Sequence, residues 1–168
     1  GDWQGSGTLR QATTVTMSAD STIDASATDY GDGGKVVMWT DVMRVDSTTT
    51  VQGSIYAKGG VNGGNGGRIE TSGHLLKVDG VVVDASAVNG QGGEWLLDPY
   101  NITIAASGAS GTAYSSDFTA GATSTVLASA IKASLDGGTS VTLNTGAAAR
   151  LARMPATSPS DSSRISVL

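Results

Sequence analysis

The sequence predicts an all-β chain whose short strands coil into a narrow parallel β-helix, a β-solenoid, with one short helix near 124–136. Three observations predict it. A phrase built from an apolar-x-Ala run, a glycine-rich turn, Gly-Gly, a charged residue and a β-run occurs three times. The Val, Ile and Thr runs span only about four to six residues, and turns come too often for helical crossovers between strands. The candidate inward residues, Ala25, Val36, Ile55, Ala57, Ile69, Val81, Val83 and Ala85, are small, which suits a narrow stack better than a sandwich or barrel with an aromatic core.

Composition supports this reading. Of 168 residues 24 are glycine, about twice the usual share of ~7%, while charged residues make up 15% against the usual ~25%. A helical bundle would need far more Leu, Glu, Lys and Arg. The net charge is -5 with no cluster of Lys and Arg, which argues against a nucleic-acid groove. No apolar run approaches the ~18 residues of a membrane span. Cysteine is absent, so disulfides and thiolate metal sites are excluded. The start at Gly1, without an initiator Met, reads as a fragment of a longer chain.

The first copy of the phrase is Ile23-Asp24-Ala25-Ser26-Ala27 followed by Gly31-Asp32-Gly33-Gly34-Lys35-Val36-Val37-Met38-Trp39. The second is Ile55-Tyr56-Ala57-Lys58-Gly59, then Gly63-Gly64-Asn65-Gly66-Gly67-Arg68-Ile69-Glu70-Thr71. The third is Val83-Asp84-Ala85-Ser86-Ala87, then Asn89-Gly90-Gln91-Gly92-Gly93-Glu94-Trp95-Leu96-Leu97. The anchors end at Gly34, Gly67 and Gly93, roughly thirty residues apart, as in a solenoid with loops of varying length. Gly-Gly and Asn-Gly are expected to supply positive φ at the corners.

Strands are expected near 13–17, 21–25, 35–39, 42–46, 49–57, 68–72, 75–79, 80–85, 94–97 and 101–105. In the run 124–135, Leu127, Ile131 and Leu135 recur every fourth residue, Ser124 can cap the start and Gly137-Gly138 can stop it, which predicts a helix. Ser140–Asn144 returns to β. The shaft thus covers 1–146. Residues 147–168, with Arg150, Arg153, Arg164 and two of the three prolines, read as an irregular tail or a non-native, frameshifted one. Codons for Met154–Ser160, read one base earlier, can spell a further glycine-turn and strand phrase.

Several phrases together carry a family resemblance. They are Gly33-Gly34-Lys35-Val36-Val37-Met38-Trp39, then Gly66-Gly67-Arg68-Ile69-Glu70-Thr71-Ser72-Gly73-His74, then Val83-Asp84-Ala85-Ser86, then Gly93-Glu94-Trp95-Leu96-Leu97-Asp98-Pro99-Tyr100-Asn101-Ile102-Thr103-Ile104. Over residues 20 to 145 the chain resembles the filamentous haemagglutinins and high-molecular-weight adhesins that Gram-negative bacteria export by two-partner secretion. The resemblance implies a right-handed parallel β-helix, passage through an outer-membrane pore and a secreted or cell-surface adhesin. Its implied partners are that pore, through a secretion domain not evident in these residues, and glycans or receptors on host cells or surfaces. No receptor site transfers to a named residue. The stretch reads as shaft, and Gly33, Gly34, Trp39, Gly66, Gly67, Glu70, Thr71, Ser72, Gly73, His74, Trp95, Leu96, Leu97, Asp98 and Pro99 as its structural motif.

No cofactor is expected, and no catalytic role. His74 is the only histidine and has no second His or Cys near it, so a hydrogen bond at a corner is the expected role. Asp24 with Asp84, and Glu70 with Glu94, occupy similar places in the repeats and are expected to stack one coil apart. Such a pair is the one hint of a polysaccharide-cleaving enzyme, although repeat geometry alone would align them. Trp39 and Trp95 are likewise expected at matching places, in core or corner packing. The glycine run 59–67 precedes β-like residues and no helix, so it reads as a corner and not a phosphate loop. The periodic Gly-Gly-x-Gly-x-Asp array of calcium-binding β-rolls is missing, and Gly31-Asp32-Gly33-Gly34 is one isolated fragment of it, so calcium is not expected. A third reading is a stalk for a toxin carried elsewhere on a longer exoprotein.

Overall fold

The computed structural model describes residues 2–6, 8–106 and 124–145, and the backbone of 165–167. The first nine strands form three successive sets of three. They are β1 (Thr14–Met17), β2 (Thr22–Asp24) and β3 (Lys35–Trp39); β4 (Thr48–Val51), β5 (Ser54–Tyr56) and β6 (Arg68–Gly73); and β7 (Leu75–Lys77), β8 (Val82–Asp84) and β9 (Glu94–Pro99). Each strand pairs in parallel with the one three places later. The result is three parallel sheets, β1–β4–β7, β2–β5–β8 and one containing β3–β6–β9. The chain visits each sheet once per set, which places corresponding repeat residues on a common ladder.

Register counts outward from the glycine anchors. Gly34, Gly67 and Gly93 precede Lys35, Arg68 and Glu94, which align. Two residues past each anchor, Val36, Ile69 and Trp95 share one ladder, and four past it Met38, Thr71 and Leu97 share another. On the second sheet Ile23, Ile55 and Val83 align. Ile55, Ala57, Ile69, Ala85 and Trp95 are fully buried in a single apolar core with Val36, Val81 and Val83, and Ala25 packs against it half-buried. The inward assignment therefore holds.

The repeated phrase has a specific mechanical cause. The amide of the second anchor glycine donates to the carbonyl of the alanine just after the preceding strand: Gly34 to Ala25, Gly67 to Ala57 and Gly93 to Ala85, each at 2.7 Å. This bond closes the same corner in every set. The expected positive φ occurs at the Asn62-Gly63-Gly64 and Gly137-Gly138 corners, and also at Gly5, Gly31, Gly53 and Gly80, but not at the anchors. The anchors are glycine because neighbouring backbones touch them. A Cβ on Gly66 would lie 1.7 Å from the Ala85 carbonyl oxygen, and one on Gly67 would lie 2.0 Å from that of Gly34.

Three sequence assignments need correction. The run 42–46 is turn, not strand: the Asp41 carboxylate accepts the Met43 amide, and the Asp41 carbonyl accepts both the Arg44 amide and the Ser47 hydroxyl. Residues 49–57 form two strands separated at Gln52-Gly53, where Gly53 takes φ +81. Ser124 does not cap a helix. Ser124–Leu127 is β11, paired with β10 (Ile102–Ala105), and helix α1 spans Ala128–Asp136 with Leu127 at its N-cap and no side-chain cap. Thr125 and Val126, both β-branched, extend the sheet before the fourfold spacing takes over. The predicted stop at Gly137-Gly138 is correct. Gly138 takes φ +87, with Thr139 N–H bonded to Ser134 O and Gly138 N–H to Leu135 O.

Helix α1 lies against β8. There it occupies the edge where a further strand would pair. The Ser134 hydroxyl donates to the Val83 carbonyl at 3.0 Å, and the Ala85 amide donates to the Thr139 hydroxyl at 2.8 Å. Side-chain hydroxyls thus satisfy edge groups that strand pairing would otherwise satisfy. The third sheet continues past β9 through β12 (Ser140–Leu143) to β13 (Ile165–Val167). β13 lies within the predicted tail 147–168; the rest of that tail is outside the described residues.

Candidate functional site

The sequence motif residues converge on the third sheet and the corner that follows β6. Alternation puts Ile69 and Thr71 toward the core and Glu70 and Ser72 on the opposite face. That outer face is covered by the chain's own first residues, a 3-10 turn at Trp3–Gly5. The Gln4 amide donates to Glu70 Oε2 at 2.7 Å, the Ser72 hydroxyl donates to Glu70 Oε1 at 2.8 Å, and Arg68 sits 5.6 Å from the Trp3 ring centroid. A side chain on Gly5 would meet the Trp39 ring at 2.7 Å, so the turn seats directly on that indole.

Beneath this cover Glu70 is fully buried. Burial pushes its carboxyl above the ordinary range, against the two hydrogen bonds that favour the charge. Asp98, half-buried and two residues along β9 from Leu96, is pushed up to about 6 by burial and by the neighbouring Glu70 charge. Asp98 Oδ1 and Trp39 Nε1 have no hydrogen-bond partner. Two acids therefore share one covered face.

The expected pairings do not form as predicted. Glu70 aligns with Val37 and Leu96, whereas Glu94 aligns with Lys35 and Arg68. Asp24 and Asp84 do share a ladder, but Tyr56 stands between them, so they are two strands apart and not one. Trp39 aligns with Ser72 and Asp98, and Trp95 with Ile69. The tryptophans differ by three positions counted from their anchors, a difference already legible in the sequence. Both are buried, and Trp95 Nε1 donates to Thr71 Oγ1 at 3.0 Å in the core.

The corner after β6 places Gly73 and His74. A Cβ on Gly73 would lie 2.5 Å from Thr40 Oγ1, within a buried Thr40–Thr49–Ser72 hydrogen-bond chain. Buried His74 bonds through Nδ1 to the Val42 carbonyl at 2.9 Å and stacks on Tyr100 at 4.5 Å. This is the corner hydrogen bond expected of it. Pro99 pairs opposite Gly73 at the end of β9, and Leu96 and Leu97 are fully buried. Among the described residues no three His, Cys, Asp or Glu side chains gather as a metal site.

A second surface, missed by the sequence reading, lies on the outer face of β2–β5–β8. Asp24 and Tyr56 of the ladder Asp24–Tyr56–Asp84, with the adjacent Ser26, Lys58 and Ser86, floor a half-open groove of about 290 Å³, walled by Val61 and Val88 on the loops. Lys58 Nζ pairs with Asp84 at 2.8 Å and lies 5.0 Å from the Tyr56 ring centroid. Hydrogen bonds from Ser26 hold Asp24 below the usual carboxylate range. At Asp84 burial pushes upward, but bonds from Lys58 and Ser86 outweigh it and the net shift is downward. The signal for this groove was the outward position of Tyr56 between two aspartates, visible once the repeats are aligned.

The chain matches no protein-family model and no curated protein sequence.

Proposed function

We propose that this chain is a shaft segment of a secreted bacterial surface exoprotein of the filamentous-haemagglutinin type, a right-handed parallel β-helix that attaches to host cells or surfaces without catalysis. The observation that carries the reading is the repeated corner: three anchor glycines bonded at equal distance to the three alanines that follow β2, β5 and β8, with each strand stacked in register on its counterpart three strands away. Such stacking makes a rigid rod that can hold many weak contacts away from a cell, where they add by avidity. Export through an outer-membrane pore belongs to the same reading. No helix of the described residues is long and apolar enough to cross a membrane.

Beads coated with the 168-residue chain are expected to adhere to epithelial monolayers or polysaccharide-coated surfaces more than albumin-coated beads. Equal adhesion would end the adhesive reading. Adding one further coil to the chain is expected to raise its melting temperature, because each coil of a solenoid is stabilised by its neighbours. An unchanged melting temperature would end the stacked-coil reading.

The second reading, a β-helical polysaccharide-degrading enzyme, draws on the raised carboxyls of Glu70 and Asp98. Reproducible polysaccharide cleavage abolished by Asp98→Asn would favour it over the shaft. A stalk for toxin delivery uses the same rod and is separated from an adhesin by the gene's remaining coding sequence.

A further inference from the structure

Three features of the groove over β2–β5–β8 point to one class of ligand. Its floor repeats with the strands, about 4.8 Å per step, close to the width of one sugar ring. It combines apolar surface with hydrogen-bonding groups: Val88 is 77% and Val61 55% exposed, beside a half-buried Tyr56, and the floor carries carboxylate and hydroxyl acceptors. Solvent-facing valines of this kind cost nothing when covered by the C–H face of a sugar and favour its binding. An aromatic ring with a polar tip suits a ligand that is apolar on one face and hydroxylated on its edge.

Charge narrows the class. The floor holds one carboxylate, Asp24, and one ammonium, Lys58. Lys58 is already paired with Asp84, so an incoming anion would face Asp24 without a free cation to receive it. A nucleic acid or a sialylated glycan is disfavoured for that reason.

We propose that this groove binds a neutral oligosaccharide, with one ring laid over Tyr56 and Val88 and its hydroxyls bonded to Asp24 and Ser86. The proposal rests on the adhesive reading and names the ligand chemistry of that surface. Asp24 and Ser26 are fixed by their own local bonds, which pre-orders the acceptor set before a ligand arrives. Val61 and Val88 belong to loops of successive coils, so a longer shaft with equivalent loops would repeat the same surface.

Saturation-transfer NMR with lactose, chitobiose and 3′-sialyllactose tests the proposal on the intact chain. Lactose or chitobiose should receive magnetisation, and sialyllactose should bind at least tenfold more weakly than the better of them. Tyr56→Ala and Val88→Asp should each weaken the neutral disaccharide at least tenfold, while Tyr56→Phe should retain it. Val88 is exposed, so Val88→Asp preserves the fold even if Tyr56→Ala does not, and circular dichroism checks both. No transfer to either neutral sugar, preference for sialyllactose, or full binding by a folded Val88→Asp chain would overturn the proposal. The bead assay separates the two levels: adhesion unchanged in Val88→Asp removes the groove and leaves the adhesin, whereas absent adhesion by the native chain removes the adhesin itself.

Discussion

The sheet β2–β5–β8 stops after three strands, whereas the sheet of β3, β6 and β9 runs on to five through β12 and β13. They also differ on their outer faces. The short sheet leaves its outer face open, and its charges settle into an ordinary solvated pair, Lys58 with Asp84. The long sheet is covered by the Trp3–Gly5 turn, and its acids, Glu70 and Asp98, are driven upward in pKa by burial. Identical ladder geometry thus yields an open, solvated face on one side and a covered face with raised carboxyl pKa values on the other. Cover, not register, decides which.

The largest effect should come from the core the two sheets share. Trp95 is fully buried and its indole donates to Thr71. Trp95→Ala removes the largest fully buried side chain and leaves the Thr71 hydroxyl without this donor; the expected loss is about 4 kcal/mol in urea unfolding. A loss under about 1 kcal/mol would mean that the stack does not depend on the long sheet's inner face.

Next come the anchors. Gly66→Ala drives a methyl into the Ala85 carbonyl and should cost about 3 kcal/mol. Gly80→Ala is the matched control, with φ +73 but open space around its Cβ, and should cost about 1 kcal/mol. Equal losses at the two sites would show that backbone conformation, and not contact between neighbouring backbone segments, keeps the anchors glycine.

The covered face should be visible in the pH dependence of stability. Asp98 has a folded-state pKa of about 6, above its ordinary 3.8. Between those values the folded state holds more protons than the unfolded one, so this group's contribution to stability falls as pH rises through that window and stays low above it. Glu70 is shifted in the same direction. Asp98→Asn should match the native chain near pH 3.5 and exceed it by about 1 kcal/mol at pH 7, after allowing for the solvent that reaches this half-buried group. Melting curves from pH 3.5 to 8 that run parallel for the two chains would contradict the burial of this face.

Much of the architecture was legible because it is written in repeats. The Gly-Gly anchors and small inward residues are close to a direct record of ladder register. What was missed arises from contacts that no repeat records. Val42 and Val45 look like a strand run, but Asp41 turns the backbone locally and leaves Val45 exposed. Thr125 and Val126 fall in a helical spacing yet pair with β10, because a neighbouring strand edge outweighs periodicity. The acid cluster depends on Gln4, 66 residues away in sequence from Glu70, and no local pattern announces it. The groove was hidden for the opposite reason: its residues were visible but their shared face was not.

The smallest effect should fall on the open face. Lys58 and Asp84 are close enough to bond at 2.8 Å, yet the Lys58 side chain keeps 43% of its exposure, so solvent screens the pair. Lys58→Gln should lower stability by no more than about 0.5 kcal/mol, and added salt should shrink the difference. The same substitution leaves Asp24 and Asp84 without a nearby ammonium, which makes the groove more acidic and should disfavour anionic sugars further. A loss near that of Gly66→Ala would mean that the ion pair holds β5 and β8 together, and that the outer face of β2–β5–β8 is structural and not free to take a ligand.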